Sequence, residues 1–240
     1  MPATLFLIPN GLGDAPLESA LPASVFPIAA RLDYFVAENA KAARALLKRI
    51  GAVVPLQHAL QSIEIRELNV STPDAALAGL LEPLLAGRDG GLVSDAGCPA
   101  IADPGARLVW LAHQRSVVVR PLVGPSAVLL GMMASGLNGQ NFAFQGYLPI
   151  DAAERRTRIR QLEAHSRAAH QTQIFIETPY RNLALLAALA ETLMPQTRLC
   201  VACDLCLPGE MISTRPARAW RSATPDLKGR PTVFLFEAAA

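Results

Sequence analysis

Two loops rich in small residues, each placed directly after a short apolar run, most constrain what this chain can fold into. The first follows residues 91–93 and ends at residues 103–105, after which a helix-spaced apolar pattern begins. The second lies between the β-branched run 117–119 and the apolar run 126–134, with Ser126 as a candidate N-cap. Both stretches therefore predict a strand, a loop and a helix, in that order.

Loops of this kind are typical of ligand sites. In open α/β sheets the ligand lies at the carboxyl ends of the strands, where Gly and Ala let it approach the backbone and a carboxylate can bind a hydroxyl group. A purely turn-forming role for Gly and Pro is the alternative for either loop alone. A third loop, residues 9–14, follows the apolar strand 4–8. Three loops at three strand ends predict a pocket.

Four short motifs in and around these loops carry a family resemblance. They are Ser94-Asp95-Ala96-Gly97-Cys98-Pro99, Asp103-Pro104-Gly105, Gly124-Pro125-Ser126-Ala127 and Ala134-Ser135-Gly136-Leu137. These motifs resemble the tetrapyrrole methylase superfamily of S-adenosylmethionine-dependent methyltransferases. They are most similar to the branch containing the ribose methyltransferase of bacterial small-subunit ribosomal RNA, and the match runs in phase along nearly the whole chain.

The resemblance implies an α/β, two-domain tetrapyrrole-methylase-like fold. We expect a mainly parallel N-terminal sheet with helices on both faces in residues 1–122, and a mixed-sheet α+β C-terminal domain in residues 123–240. The cofactor is expected in a cleft between them. The residue pattern agrees, because strands and helices alternate through the first half, whereas the closing strands near 211–214 and 232–237 favour antiparallel pairing.

Three local predictions concern less regular stretches. Residues 53–56 are predicted as a short strand, and Pro73 is predicted to open a helix ending at residue 86 with Thr72 as its N-cap. A polar helix over residues 151–169 contains five arginines, with Glu154 and Glu163 partly neutralising them. A solvated helix face is the simpler interpretation of that segment, but it is also the best candidate for contact with RNA.

The resemblance also implies roles for individual residues. The expected cofactor-binding residues are Pro9, Asp95, Gly97, Cys98, Ser126 and Ala127 in the loops, with Ala202 and Thr232 from the second domain. Glu177-Thr178-Pro179-Tyr180-Arg181 resembles the family's Glu-Ser-Pro-His-Arg, which makes Tyr180 and Arg181 candidates for substrate binding. A ribose hydroxyl acceptor needs a neighbouring base or hydrogen-bond acceptor, for which Glu38 and Glu177 are the candidates.

One departure from the ribosomal RNA branch keeps the acceptor open. Where that branch has Arg-Glu-Leu-Thr-Lys, this chain has Cys203-Asp204-Leu205-Cys206-Leu207, without the basic and hydroxyl groups. The first functional hypothesis is 2'-O-methylation of a ribose in small-subunit ribosomal RNA. The second is methylation of a small molecule of tetrapyrrole type, and the third is a cofactor-binding module without turnover.

Composition adds few constraints. A net charge of +2 neither supports nor excludes an RNA partner. No apolar run is long enough for a membrane span, and the N-terminus lacks the features of a signal peptide, so a cytoplasmic protein is expected.

Cys200, Cys203 and Cys206 have C-x2-C-x2-C spacing, but we expect no metal because residues three apart in a strand face opposite ways. The resemblance implies a homodimer.

Overall fold

The structure is a computed structural model that describes residues 3–223 and 225–239. It divides into two compact units, the first ending at Ser126 and the second beginning at Ala127. This division falls four residues after the boundary placed between residues 122 and 123 from the sequence.

The first unit alternates strands with helices. Its elements are β1 (Thr4–Leu7), α1 (Val25–Ala30), β2 (Tyr34–Ala37), α2 (Ala40–Val53), β3 (Glu64–Glu67), α3 (Asp74–Leu85), β4 (Gly90–Val93), α4 (Ala106–Gln114) and β5 (Val118–Pro121), with a 3-10 turn at Leu17–Ser19. All pairings in the sheet are parallel, in the order β3-β2-β4-β1-β5. The predicted parallel sheet is therefore confirmed.

The core of the first unit lies on both faces of this sheet. Phe6 and Phe35 belong to one apolar cluster with side chains of α1 and α2, whereas Leu5 and Tyr34 belong to a second cluster with α3 and α4. Neighbouring strand residues join different clusters because side chains in a strand alternate between the two faces. Helices on both faces, as predicted, follow from this alternation.

The second unit is built differently. Its elements are α5 (Ala127–Ser135), β6 (Phe142–Phe144), α6 (Ala152–Ala169), β7 (Thr172–Ile176), α7 (Asn182–Thr192), β8 (Arg198–Cys203), β9 (Met211–Pro216), α8 (Ala217–Trp220) and β10 (Thr232–Glu237). The sheet order is β6-β7-β10-β8-β9. Only β6 and β7 pair in parallel, and the other neighbours are antiparallel. The predicted mixed sheet is confirmed.

Each face of the second sheet is covered by helices. Phe175 and Phe234 pack on one face with apolar residues of α6 and α7, such as Ile159 and Leu185. The other face meets α5, where a Cβ on Gly131 would lie 3.5–3.7 Å from three side chains: Leu235, Ala202 and Val233. Helix α5 therefore packs closely on β8 and β10.

Two of the local predictions are wrong in position. Residues 53–56 form no strand, because α2 continues to Val53 and the partly buried Leu56 packs on the first-unit core from the segment after it. The third strand is Glu64–Glu67 instead, a half-exposed edge strand in which only Ile65 is apolar. Helix α3 begins at Asp74, and the Thr72 hydroxyl accepts from the amide of Asn69 rather than capping the helix.

The charge balance on α6 also differs from the prediction. Glu163 is buried beneath the helix, where its Oε1 accepts hydrogen bonds from the amide of Met194 and the hydroxyl of Thr197. It therefore does not neutralise the exposed arginines. Glu154 remains exposed in the first turn, and the Asp151 carboxylate caps the helix by accepting from the amides of Ala153 and Glu154.

The cysteines of the C-x2-C-x2-C run occupy separate environments. Cys203 packs in the apolar cluster with α6 and α7, Cys200 is buried on the opposite face of β8, and Cys206 is exposed. Burial raises the pKa of both strand thiols. Within residues 3–223 and 225–239, no three potential ligands are grouped to hold a metal ion. No helix in the same residues is long and apolar enough to cross a membrane.

Candidate functional site

Asn10 joins the loops that follow β1 and β4. Its side-chain amide donates to the carbonyl oxygen of Asp95 at 2.8 Å, and its Oδ1 accepts from the amide of Gly11. Its own backbone amide donates to the carbonyl of Gly97 at 2.8 Å. Because the strands are parallel, both loops leave at the same edge of the sheet. Asn10 thus fixes the backbone beside two predicted cofactor residues, Asp95 and Gly97.

The loop after β5 joins the same edge. The Cys98 thiol donates to the carbonyl oxygen of Pro125 at 3.3 Å. Gly124 packs directly against Pro9, since a Cβ on that glycine would lie 2.2 Å from the Cβ of Pro9. All three small-residue loops are therefore in mutual contact, as the motifs predicted, and Pro9, Asp95, Gly97 and Cys98 lie together.

Backbone strain is concentrated in the loop between β4 and α4. Ala100 and Ala102 have φ values of 66° and 65°, a region that L residues other than glycine seldom adopt. Gly97 and Gly105 have positive φ values in the same loop. Residues held in unfavourable conformations of this kind cluster at ligand sites, where surrounding contacts fix them.

Three carboxyl groups meet at this edge. Glu38 follows β2, and Asp95 and Asp103 lie in the loop after β4. Burial raises the pKa of Glu38, and the negative charges of Asp103 and Asp95 raise it further. Partial burial raises the pKa of Asp95, and burial followed by the charge of Asp95 raises that of Asp103. The edge therefore carries concentrated negative potential, and a cation bound there would relieve the repulsion.

An open pocket of about 220 Å³ within the first unit reaches one of these carboxyl groups, that of Asp95. It is lined by the loop from Asn10 to Asp14, by Asp95 and Ala96, and by one face of α2. The Arg49 guanidinium of α2 donates to the carbonyl oxygens of Gly13 and Ala15, which holds the outer part of the first loop. The pocket thus has a wall of loop backbone and a rim of mixed charge, with the carboxylates of Asp14 and Asp95 and the guanidinium of Arg49.

The second unit contains the predicted substrate residues. Glu177 is almost fully buried, with its carboxylate in an ion pair with Arg181 at 2.7 Å and in a hydrogen bond from the amide of Thr178. Both of its oxygens are therefore engaged, so Glu177 positions the loop and is not a free base. Tyr180, between them, is 85% exposed. The other candidate base is Glu38, whose pKa is raised by burial and by the nearby carboxylates of Asp103 and Asp95.

Ala202 and Thr232 lie on adjacent strands but face opposite sides of the sheet. Ala202 pairs with Val233 beneath α5, whereas Thr232 pairs with Cys203. The Thr232 hydroxyl accepts from the side-chain amide of Asn182 and donates to the carbonyl of Arg230. Neither side chain is free for a ligand, so any contribution to binding must come from their backbone groups.

Two residues of this edge, Asn10 and Asp103, have no function predicted from the sequence. Asn10 belongs to a predicted turn and Asp103 to one of the motifs. Asp103 could have been recognised from its position beside Asp95 in a loop after a strand. The hydrogen bonds of Asn10 join it to a loop distant in sequence, so no local sequence pattern indicates them.

The two remaining predicted cofactor residues, Ser126 and Ala127, lie at the end of the third loop. Ser126 follows Pro125 directly in the chain and Ala127 begins α5, and both are half-buried.

Comparison with known proteins gives a consistent result in sequence. A protein of Mesorhizobium japonicum named ribosomal RNA small subunit methyltransferase I is 34% identical over 192 residues, which are 79% of this chain and 60% of that protein. A protein of the same name from Neisseria meningitidis is 31% identical over 202 residues, covering 84% and 64%. The chain thus spans less than two thirds of these relatives. No protein-family model matches it.

Solved structures agree in fold. A uroporphyrin-III-C-methyltransferase from Thermus thermophilus matches with a TM-score of 0.55 and 16% identity, covering 99% of this chain and 93% of that one. The methyltransferase CobJ matches with a TM-score of 0.63 and 20% identity, covering 99% and 94%. The fold predicted from the motifs is confirmed.

Proposed function

We propose that this chain transfers a methyl group from S-adenosylmethionine to RNA. Two findings support the proposal: the chain is a homologue of the proteins named ribosomal RNA small subunit methyltransferase I, and it has the fold of tetrapyrrole methyltransferases. The acceptor we propose is the 2'-hydroxyl of a ribose in small-subunit ribosomal RNA. The observation that carries this proposal is the edge of the first unit, where three strained or tightly packed loops surround a group of carboxylates.

The residues at this edge fit the cofactor chemically. S-Adenosylmethionine carries a positive sulfonium and a positive ammonium group, and the carboxylates of Glu38, Asp95 and Asp103 supply the complementary charge. Its ribose hydroxyls need acceptors, which carboxylate and carbonyl oxygens provide. Gly124 lets the loop after β5 pack directly against Pro9, which holds two of the loops together at this edge.

We assign the cofactor contacts accordingly. Asp95, Gly97 and Cys98 bind through the loop after β4, Pro9 through the loop after β1, and Ser126 with Ala127 through the segment after β5. Ala202 and Thr232 contribute backbone groups only.

When bound, the cofactor supplies an electrophilic methyl group, so no metal or covalent nucleophile is required of the protein. The task of the chain is to orient the acceptor and exclude water. Glu38 is the group that we propose accepts the hydroxyl proton, because its raised pKa brings it nearer to the working pH than that of an exposed carboxylate. Tyr180 and Arg181 contact the substrate.

A transfer assay tests this proposal. The purified protein is incubated with methyl-tritiated S-adenosylmethionine and small ribosomal subunits lacking the modification, and tritium in the RNA is counted. We expect incorporation by the wild type and a loss of about 100-fold or more in Glu38→Gln, within the range that general-base catalysis contributes. The absence of incorporation in a folded, cofactor-binding protein would contradict the proposal.

The tetrapyrrole hypothesis is tested in the same assay with uroporphyrinogen as acceptor. The observation favouring it is the loop Cys203–Leu207, whose Asp204 is held by Arg230 at 2.8 Å and which offers no cation to a phosphate. Tritium in the macrocycle but not in RNA would select that function. Binding of the cofactor with transfer to neither would select the module without turnover.

The resemblance further predicts a homodimer in the cytoplasm. Light scattering coupled to size exclusion at micromolar concentration measures the first point. A mass of twice 25.6 kDa is expected, and a mass of 25.6 kDa would contradict it.

A further inference from the structure

Two exposed tyrosines emerge at one edge of the second sheet. Tyr147 follows β6 and Tyr180 follows β7, and because these strands are parallel their carboxyl ends lie at the same edge. Tyr147 is 57% exposed and Tyr180 is 85% exposed. We propose that this tyrosine edge, formed by Tyr147, Tyr180 and the first turns of α6, binds an unpaired stretch of RNA. The inference rests on the proposed function and names its substrate surface.

Backbone hydrogen bonds keep the two loops side by side. The amide of Gln145 donates to the carbonyl of Ile174 at 2.8 Å, and the amide of Ile176 donates to the carbonyl of Gly146 at 3.1 Å. The pairing of β6 with β7 thus extends beyond β6 up to the residue before Tyr147. Tyr180 is held from the other side by the ion pair between Glu177 and Arg181.

Such rings are suited to nucleobases. Every base has a π-face, so aromatic side chains bind unpaired bases with little sequence preference. Neither tyrosine hydroxyl has a hydrogen-bond partner in the described part of the chain, which leaves ring and hydroxyl open to a ligand. Bases in an RNA duplex are stacked on one another and cannot reach these rings, which is why an unpaired segment is the expected occupant.

Positive charge adjoins the tyrosine edge. Arg158 donates to the side-chain oxygen of Gln145 at 3.1 Å, which places its guanidinium over the loop that carries Tyr147. Arg156 makes no ion pair or hydrogen bond among residues 3–223 and 225–239. Arg156, Arg160 and Arg167 form a separate exposed row on another side of α6, because residues two apart in a helix, such as Arg156 and Arg158, point about 200° apart. The burial of Glu163 removes the acid expected to offset the arginines.

The first turns of α6 also contain acidic residues. Asp151 and Glu154 lie in the same region, but the Asp151 carboxylate is used in capping the helix. RNA with exposed bases and a phosphate backbone therefore matches both parts of the surface.

Fluorescence anisotropy with a labelled 12-nucleotide unpaired RNA, without cofactor, tests the inference. We expect Tyr180→Ala and Tyr147→Ala each to raise Kd at least fivefold, the lower limit of what one base stacked on an aromatic ring contributes. Tyr180→Phe should keep most of the affinity. Trp110→Ala is the matched control, because Trp110 is a 64% exposed aromatic residue on α4 of the first unit. Arg158→Gln should reduce the salt dependence by about one phosphate contact, because Arg158 is the arginine held beside the loop of Tyr147.

Other outcomes overturn the inference. Unchanged RNA affinity in both tyrosine variants, or equal competition by a duplex of the same length, would exclude a stacking surface for unpaired bases. If the tyrosine variants bind uroporphyrinogen more weakly but bind RNA as the wild type does, the edge is a macrocycle-binding surface. The transfer assay judges the proposed function separately. If the tyrosine variants lose RNA affinity but the wild type transfers no methyl group, the RNA-binding surface is supported and the activity is rejected. If the tyrosine variants bind RNA normally and the wild type is active, the activity is supported and the surface is rejected.

Discussion

The side-chain amide of Asn10 donates a 2.8 Å hydrogen bond to the backbone carbonyl oxygen of Asp95. This contact holds the loop after β1 against the loop after β4, at the edge where the carboxyl groups gather. The acidic residues repel one another, so a neutral amide that fixes the backbone between them keeps the edge in one conformation before any ligand arrives. Preorganisation of this kind lowers the ordering cost of binding.

Replacing Asn10 tests that role. Asn10→Ala should lower the free energy of unfolding by about 1–3 kcal/mol, because buried groups lose their hydrogen-bond partners. It should also weaken S-adenosylmethionine binding by about tenfold. Asn10→Asp keeps the size and the acceptor for Gly11 but removes the donor, so its affinity should fall at least as far. Urea unfolding and calorimetric titration measure both quantities, and unchanged affinity in both variants would reject the positioning role.

The carboxyl groups predict a pH dependence of cofactor binding. A bound cation favours ionised carboxylates, so affinity is full above their pKa values and falls as the pH decreases through them. Because the pKa values of Glu38, Asp95 and Asp103 are raised, the fall should begin above the pH of about 4.3 where an exposed glutamate titrates. Titrations between pH 4.5 and 8 measure it, and Glu38→Gln should show a shallower dependence.

Stability of the free protein should change in the opposite direction. A carboxyl group with a raised pKa in the folded state contributes stability that is present below its unfolded pKa and is lost as the pH rises through the folded value. Glu38→Gln should therefore flatten the decline in unfolding free energy above pH 4. An equally steep decline in the variant and the wild type would show that ionisation of Glu38 does not cause the loss of stability.

Gly124 should not tolerate a side chain. A Cβ there would lie 2.2 Å and 2.4 Å from two ring carbons of Pro9, which cannot rotate away. Gly124→Ala should cost about 1–3 kcal/mol in unfolding free energy, as overpacking typically does, and should weaken cofactor binding by moving the loop. Gly139→Ala is the control, since nothing lies within 4 Å of its Cβ position. Equal stability of the two variants would show that the contact is not tight.

Glu163 should matter for stability and not for RNA binding. Glu163→Ala leaves the amide of Met194 and the hydroxyl of Thr197 without their buried acceptor, which should cost about 2–3 kcal/mol. Glu163→Gln retains an acceptor and should recover part of that loss. Thermal unfolding and RNA binding are measured in parallel. A large gain in RNA affinity on neutralisation would place the carboxylate on the exposed face instead.

The sequence predicted this fold well where the patterns were strong. Strand β10 and helix α6 lie where they were expected, because a buried apolar run and a long polar helix have clear signatures. Strand β3 was missed because an edge strand with a single apolar residue, Ile65, has no such signature. Residues 53–56 looked like a strand because a helix end packs its apolar side chains into the same core.

The candidate site was predicted in part for a similar reason. Gly and Pro mark loops in the sequence, so the three loops could be located there, whereas the assignment of Gly97 and Pro9 to a cofactor came from the resemblance. Long-range hydrogen bonds leave no such mark, so only the structure shows the role of Asn10 and the ion pair of Glu177 with Arg181. Asn39 shows the reverse case, because its side-chain contacts are local in the sequence. It caps α2 by accepting from the amides of Lys41 and Ala42, a role that Asp fills equally well.

Calorimetric titration of the protein with S-adenosylmethionine is the decisive measurement for the edge where Asp95 lies. We predict saturable binding that Asp95→Ala weakens at least tenfold and that Glu82→Gln, which neutralises an exposed acid on α3, leaves unchanged. Circular dichroism confirms that each variant is folded. No binding by the folded wild type, or equal affinity in all three proteins, would contradict the assignment of this edge as the cofactor site.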